Sequence, residues 1–254
     1  MKPVSMLSPN QEPRPVGIAI DTLVLHYTGM KSAKAALARL CDPEAKVSAH
    51  YLVDEDGAVF LLVPEEKRAW HAGTSSWRGE SNINDRSIGI ELVNPGHEFG
   101  YRPFPEKQMA ALIPLLREIL ARHPIPQCRV LGHSDVAPGR KSDPGELFDW
   151  HRLAESGIGL WPESVGPESV GPKSAKKHPT KKKPLPPAPP PPVSEVQSML
   201  WAYGYSVPRN GVLDSETKNA LMAFQRHFRP ERVDGAIDAE TFARLSWLLE
   251  HSSA

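Results

Sequence analysis

Thr22-Leu23-Val24-Leu25-His26-Tyr27-Thr28-Gly29 is a run of apolar and aromatic residues closed by a glycine, and Thr22–Tyr27 reads as a β-strand. Alternation along a strand puts Leu23 and Leu25 on one side of the sheet and Val24 and His26 on the other. His26 then stands near the strand's end, where a site can open. Ser87-Ile88-Gly89-Ile90-Glu91-Leu92-Val93 repeats the pattern. Here Ile88, Ile90 and Leu92 form a strip toward the core, while Gly89 and Glu91 share the opposite face. Around these two runs, strand and helix signals alternate. Ser32–Leu40 has helical spacing, and His50–Val53 and Ala58–Val63 flank a hairpin turn at Asp54-Glu55-Asp56-Gly57. Residues 105–122 read as an amphipathic helix that Pro114 should kink, and Arg129–Gly132 as a short last strand. Such a mixture argues for α/β or α+β with a single central sheet, and the expected class is an α/β domain with a mixed central sheet flanked by helices.

The chain changes character after residue 160. Eleven of its 27 prolines fall between Pro162 and Pro192. Pro-Glu-Ser-Val-Gly occurs at 162–166 and again at 167–171, and six lysines follow between Lys173 and Lys183. A stretch like this buries too little to offset the entropy of ordering, and it reads as a spacer of polyproline II character. Beyond it, Asn210-Gly211-Val212-Leu213-Asp214-Ser215-Glu216-Thr217 is echoed by Asp234-Gly235-Ala236-Ile237-Asp238-Ala239-Glu240-Thr241. Each copy is a turn followed by an Asp suited to cap a helix. Ala220, Leu221 and Phe224 share one face of the first helix, and Phe242, Leu245, Leu248 and Leu249 one face of the second. An earlier helix near 194–203 offers Val196, Met199 and Leu200. The expected division is 1–160 for the α/β domain, 161–193 for the linker and 194–254 for a small all-α domain of three helices.

Composition excludes several classes. Thirty basic and thirty acidic residues cancel, so no global field selects nucleic acid or a membrane surface. Cys41 and Cys128 are far apart and in no CxxC pattern, which rules out a disulfide scaffold and a thiolate zinc cluster; both are read as core filler. Apolar runs such as Met109–Leu116 are less than half a membrane span, so no transmembrane segment is expected. Residues 1–20 carry prolines at 3, 9, 13 and 15 and make a poor export signal.

Reactive side chains cluster in the α/β part. His26 is either a site residue or a satisfied core histidine. Glu91, in an apolar strand, needs a cleft or an ion pair, and desolvation would raise its pKa toward use as a general base. The third place is Gly132-His133-Ser134-Asp135-Val136-Ala137-Pro138-Gly139-Arg140-Lys141-Ser142-Asp143-Pro144-Gly145. Two Pro-Gly pairs hold Arg140–Asp143 out of helix, and if that segment is extended Lys141 and Asp143 point the same way. His133-Ser134-Asp135 is no catalytic triad, because adjacent residues cannot arrange themselves as base, nucleophile and orienter. Two histidines and a carboxylate with a free fourth position would make a catalytic zinc site. The spacing carries no local zinc signature, however, and His50 and His71 are equally available.

Four stretches together settle the choice by resemblance: LVLHYTG (23–29), SAHYLVDEDGAVFLLVPEEKRAWHAG (48–73), NINDRSIGIELVNPG (82–96) and GHSDVAPGRKSDPG (132–145). In this order they resemble the zinc-dependent N-acetylmuramoyl-L-alanine amidases of the AmpD/AmiD type, relatives of peptidoglycan recognition proteins and phage amidases. The resemblance implies His26, His133 and Asp143 as ligands of one zinc ion, Glu91 as the catalytic acid/base and Lys141 as the catalytic lysine. Trp70 and His71 fall on the wall of the substrate cleft. An aspartate as third ligand matches the AmpD/AmiD branch, whereas phage amidases and many recognition proteins have cysteine there. The reaction implied is hydrolysis of the amide between the lactyl group of N-acetylmuramic acid and L-alanine.

The C-terminal unit resembles the three-helix peptidoglycan-binding domain of cell-wall hydrolases, through VQSMLWAYGY (196–205), NGVLDSETKNALMAFQ (210–225) and DGAIDAETFARL (234–245). It implies anchoring to polymer, which raises the effective concentration of substrate. Two other readings stand beside this one: a non-catalytic peptidoglycan-binding or sensing protein, and a cytoplasmic amidase recycling anhydromuropeptides. All three ligand positions are occupied, which opposes the first. The anchoring unit opposes the second and the weak export signal favours it; the cell envelope is the expected location.

Overall fold

The computed structural model describes residues 3–162 and 190–252. The strands are β1 (Val4–Ser5), β2 (Gln11–Pro13), β3 (Thr22–Tyr27), β4 (Tyr51–Val53), β5 (Val59–Leu61), β6 (Lys67–Ala69), β7 (Ser76–Trp77), β8 (Glu80–Ser81), β9 (Ser87–Leu92) and β10 (Val130–Gly132). The helices are α1 (Ala33–Leu40), α2 (Gly96–Phe99), α3 (Glu106–Arg122), α4 (His133–Val136), α5 (Trp150–Glu155), α6 (Val193–Tyr203), α7 (Ser215–Phe228) and α8 (Ala239–His251). One sheet has the order β1-β5-β4-β9-β3-β10. Strands β4, β9, β3 and β10 pair in parallel, and β5 runs antiparallel to β4 across the Asp54–Gly57 turn. The fold is thus a mixed α/β sheet with flanking helices, followed by a helical unit.

Alternation along the two central strands divides the core. Leu23, Leu25, Ile88, Ile90 and Leu92 pack with Leu112, Leu116 and Ile119 of α3 on one face. Helix α3 runs on through Pro114, which lies on its exposed side together with Ala110, so the carbonyl that loses its N–H partner sits on the wet face. On the other face Val24, Leu131, Trp77 and Ile83 join one apolar cluster with Leu200, Tyr203, Phe224 and Leu245 of the helical unit. Trp77 is fully buried, edge-on to Tyr203 and Tyr205. The helical unit therefore packs directly on the sheet. Asp214 and Asp238 cap α7 and α8, accepting from the Thr217 and Thr241 amides at 2.8 Å each.

Of the proline- and lysine-rich stretch, residues 163–189 lie outside the described residues, and with them most of the expected linker. Strands β1, β2, β6, β7 and β8 go beyond the sequence reading, because two or three residues leave no alternation to recognise. Among the described residues no helix is long and apolar enough to cross a membrane. Cys128 is buried and Cys41 half-buried, both as free thiols.

Candidate active site

The parallel register brings the reactive side chains level. His26 of β3 stands opposite Glu91 of β9, and Leu25 stands opposite Gly132 of β10. His133, the residue after Gly132, therefore emerges beside His26. Both lie at the carboxyl ends of parallel strands, where open α/β sheets place their ligands. The chain then makes one turn of helix, reverses at Pro138-Gly139 and returns through Lys141 and Ser142, delivering Asp143 back to its starting point. The Ser134 amide donates to the Asp143 carbonyl at 2.9 Å and closes this loop.

Three donor atoms converge. His26 Nδ1 lies 2.9 Å from His133 Nδ1 and 3.1 Å from Asp143 Oδ2, and His133 Nδ1 lies 2.9 Å from the same oxygen. All three side chains are buried. His133 Nε2 lies 3.0 Å from the Ala72 carbonyl, which can only accept, so Nε2 carries a proton there. Burial first, and the neighbouring His133 second, pull His26 down to about 4, so it is neutral at physiological pH. Burial alone would raise Asp143, but His133 and His26 outweigh it and hold its carboxyl ionised, well below the usual range. Two imidazole nitrogens and a carboxylate oxygen converging this closely form a donor set for a cation. A tetrahedral zinc with arms of about 2.0–2.1 Å sets its ligand atoms about 3.3 Å apart, close to the spacing seen. The donor set fits.

Behind the triplet, His26 Nε2 meets His71 Nδ1 at 3.0 Å, and His71 Nε2 meets Ser87 Oγ at 3.0 Å. Metal ligation through His26 Nδ1 would leave the proton on Nε2 to be donated to His71, and His71 Nε2–H to Ser87. Gly89 makes room for this chain: a Cβ there would fall 2.4 Å from His71 Cγ. His50 differs. Its Nδ1 accepts from the Gly89 amide at 2.9 Å and its Nε2 reaches the Lys67 carbonyl at 3.1 Å, so both ring nitrogens are engaged with backbone. Burial pulls its pKa down to about 3. His50 is a satisfied core histidine.

The triplet forms the floor of a cavity of about 470 Å³ that Glu91, Lys141 and His71 also line. Glu91 Oε2 is buried with no hydrogen-bond partner among the described residues. Burial, and then Asp143, raise the Glu91 pKa well above the usual carboxylate range, with Lys141 pulling the other way. Tyr27 OH at the rim lies 2.9 Å from His97 Nδ1 and 3.2 Å from Ser142 Oγ. Arg140 Nη2 donates to the Ala72 and Thr74 carbonyls at 2.6 and 2.7 Å, tying the loop that carries Lys141 to the segment after His71. His26, His71, Glu91, His133, Lys141 and Asp143 thus come together. Trp70 does not reach this cavity: its Nε1 donates to Glu12 Oε1 at 3.0 Å, and it lines a separate, shallow depression with Arg68 and Asn82. Sequence reasoning gave no role to Tyr27, His97, Arg140 or Ser87. Tyr27 and Arg140 each adjoin a residue it singled out, the only signal available.

The profile of the N-acetylmuramoyl-L-alanine amidase family matches residues 16–146, and that of a peptidoglycan binding domain matches residues 189–245. The chain is 40% identical over 243 residues to the N-acetylmuramoyl-L-alanine amidase AmiD of Escherichia coli K12, covering 91% of this chain and 83% of that protein. The structure of AmiD with anhydro-N-acetylmuramic acid-L-Ala-D-gamma-Glu-L-Lys superposes with a TM-score of 0.77 at 37% identity, covering 94% of this chain and 93% of the other. Pseudomonas aeruginosa AmpDh3 in complex with anhydromuramic pentapeptide superposes with a TM-score of 0.77 at 36% identity, over 98% of this chain and 99% of that one.

Proposed function

The chain belongs to the N-acetylmuramoyl-L-alanine amidase family, and from that premise we propose that it hydrolyses the bond between N-acetylmuramic acid and L-alanine with one zinc ion held by His26, His133 and Asp143. The convergence of two buried imidazole nitrogens and a buried carboxylate oxygen within 3.1 Å of one another carries this reading. Held by two neutral imidazoles and one carboxylate, the ion would keep about one positive charge and would supply Lewis-acid chemistry and a water of lowered pKa. Glu91 takes the proton of the attacking water on Oε2 and delivers it to the leaving amine of L-alanine. Its burial beside Asp143 favours the protonated form that the second transfer needs. Lys141 Nζ meets the charge that builds on the carbonyl oxygen, a contribution of about 3–4 kcal/mol by analogy with other oxyanion donors. Tyr27 and His97 shape the rim of the cavity.

The C-terminal unit binds peptidoglycan in this reading and holds the α/β unit near its substrate. In this reading the enzyme works in the cell envelope, on polymer as well as on fragments. Metal analysis and muropeptide release by the purified protein test it. Glu91→Ala and Lys141→Ala keep the zinc and lose turnover, and His133→Ala loses both. Wild-type rates in either metal-replete variant would remove that residue from the mechanism. Cleavage of soluble anhydromuropeptides with intact sacculi left untouched would overturn the envelope role and leave a recycling enzyme.

A further inference from the structure

We infer that the C-terminal helical unit is a positioning element of the active site, acting through Asp135 on the loop that carries His133, Lys141 and Asp143. This rests on the assignment of those three residues above, and it gives the helical unit a task beyond holding polymer.

Asp135 lies two residues after His133 and is fully buried. Its Oδ2 accepts from the Gly132 amide at 2.7 Å, within its own turn. Its other partners come from the helical unit: Tyr205 OH donates to Oδ1 at 2.6 Å, and His227 Nδ1 donates to Oδ2 at 2.7 Å. A buried carboxylate without such donors is costly, so the turn depends on the helical unit to satisfy it. The His227 ring is itself clamped between Trp150, stacked at 3.7 Å, and Phe228, stacked at 3.8 Å.

Helix α7 follows the loop along its length. At the reversal, Gly139 faces Asn219 so closely that a Cβ would fall 2.4 Å from the amide nitrogen. Gly139 has φ +76°, so that turn is shaped for glycine and for this contact together. Past Asp143, Glu146 lies 4.0 Å from Arg226. The unit is locked to the sheet as well: the Arg78 amide donates to the Gly204 carbonyl at 2.9 Å, and its Nε donates to the Tyr203 carbonyl at 3.0 Å. A ligand-bearing loop held on one side by Arg140 and on the other by α7 has little freedom to shift. Partners behind metal ligands typically matter 10–100-fold in affinity or activity.

The test uses the full-length zinc-loaded protein and a soluble muramyl tripeptide, so polymer binding plays no part. Tyr205→Phe removes one hydroxyl, and His227→Phe removes the Nδ1 donor while keeping an aromatic ring for the stack. Each is expected to lower kcat about tenfold with KM within twofold, and to speed zinc loss to a chelator about tenfold. His227→Asn, whose amide can donate from nearly the same place, is expected to recover most of both. Folded variants with wild-type kcat and zinc retention, and only a lower Tm, would overturn the inference. The milder Tyr205→Phe decides the matter if His227→Phe does not fold. A wild-type protein that neither holds zinc nor cleaves the tripeptide would instead sink the assignment on which this rests, so the two failures are distinguishable.

Discussion

Gly89→Ala is the sharpest perturbation the structure offers, because one methyl group should unseat a residue in the row behind the site. The new Cβ would lie 2.4 Å from His71 Cγ and 2.6 Å from Cδ2 and Nδ1, so the ring must retreat by about 1 Å to reach ordinary contact. It cannot retreat freely, being buried and held by His26 at one nitrogen and Ser87 at the other. The backbone cannot yield either. The Gly89 amide donates to His50 Nδ1 and the Gly89 carbonyl accepts from the His50 amide, both at 2.9 Å, in a central strand. Overpacking costs about 1–3 kcal/mol, and losing two buried hydrogen bonds adds about 1–2 kcal/mol, so the metal-free protein should lose about 2–5 kcal/mol. His26 also loses the partner that fixes its tautomer, which should weaken zinc binding about 10–100-fold. Urea unfolding of the metal-free protein measures the first, and competition with a chelating dye measures the second. Stability within 0.5 kcal/mol of wild type together with unchanged zinc affinity would refute the reasoning, since the ring would then have had room the structure denies it.

Two further outcomes separate structural from chemical roles. His50→Ala should destabilise the fold by about 2–4 kcal/mol, because the buried Gly89 amide and Lys67 carbonyl lose their partner, yet retain one zinc per chain; metal analysis after a denaturation series checks both. Glu65 governs acid stability: burial alone would raise it, but hydrogen bonds from Arg122, Tyr51 and His123 prevail and hold its carboxyl down to about 2. The unfolded chain takes up this proton near pH 4.5 and the folded one only near 2. The stabilisation, at most about 3 kcal/mol, is therefore complete above pH 4.5 and disappears as pH falls through 2. Glu65→Gln should flatten the fall in urea midpoint across that window, and an unchanged slope would assign the acid response to other carboxylates.

Local order was legible wherever its cause lies within a few residues. Asp214 and Asp238 cap the helices they precede, and alternation in Thr22–Tyr27 and Ser87–Leu92 assigned each face of the central strands. The α/β class followed from those elements, and the four motifs carried the family and the candidate ligands. Short edge strands such as β1 and β6 escaped, because their partners lie far along the chain and their residues show no pattern.

By itself the sequence determined the elements, the order of the motifs and the kinds of side chain on offer, since helix caps, turns and strand alternation are settled by neighbours. Only the tertiary structure decided which histidines do what. His26 and His133, 107 residues apart, meet because parallel strands fix them in register, while His50 is consumed by backbone and His71 stands behind. The same holds for Asp135, a polar residue in a loop until Tyr205 and His227 reach it from the far end of the chain. Hydrogen bonds across such separations depend on how whole layers pack, and no local pattern in the chain encodes that.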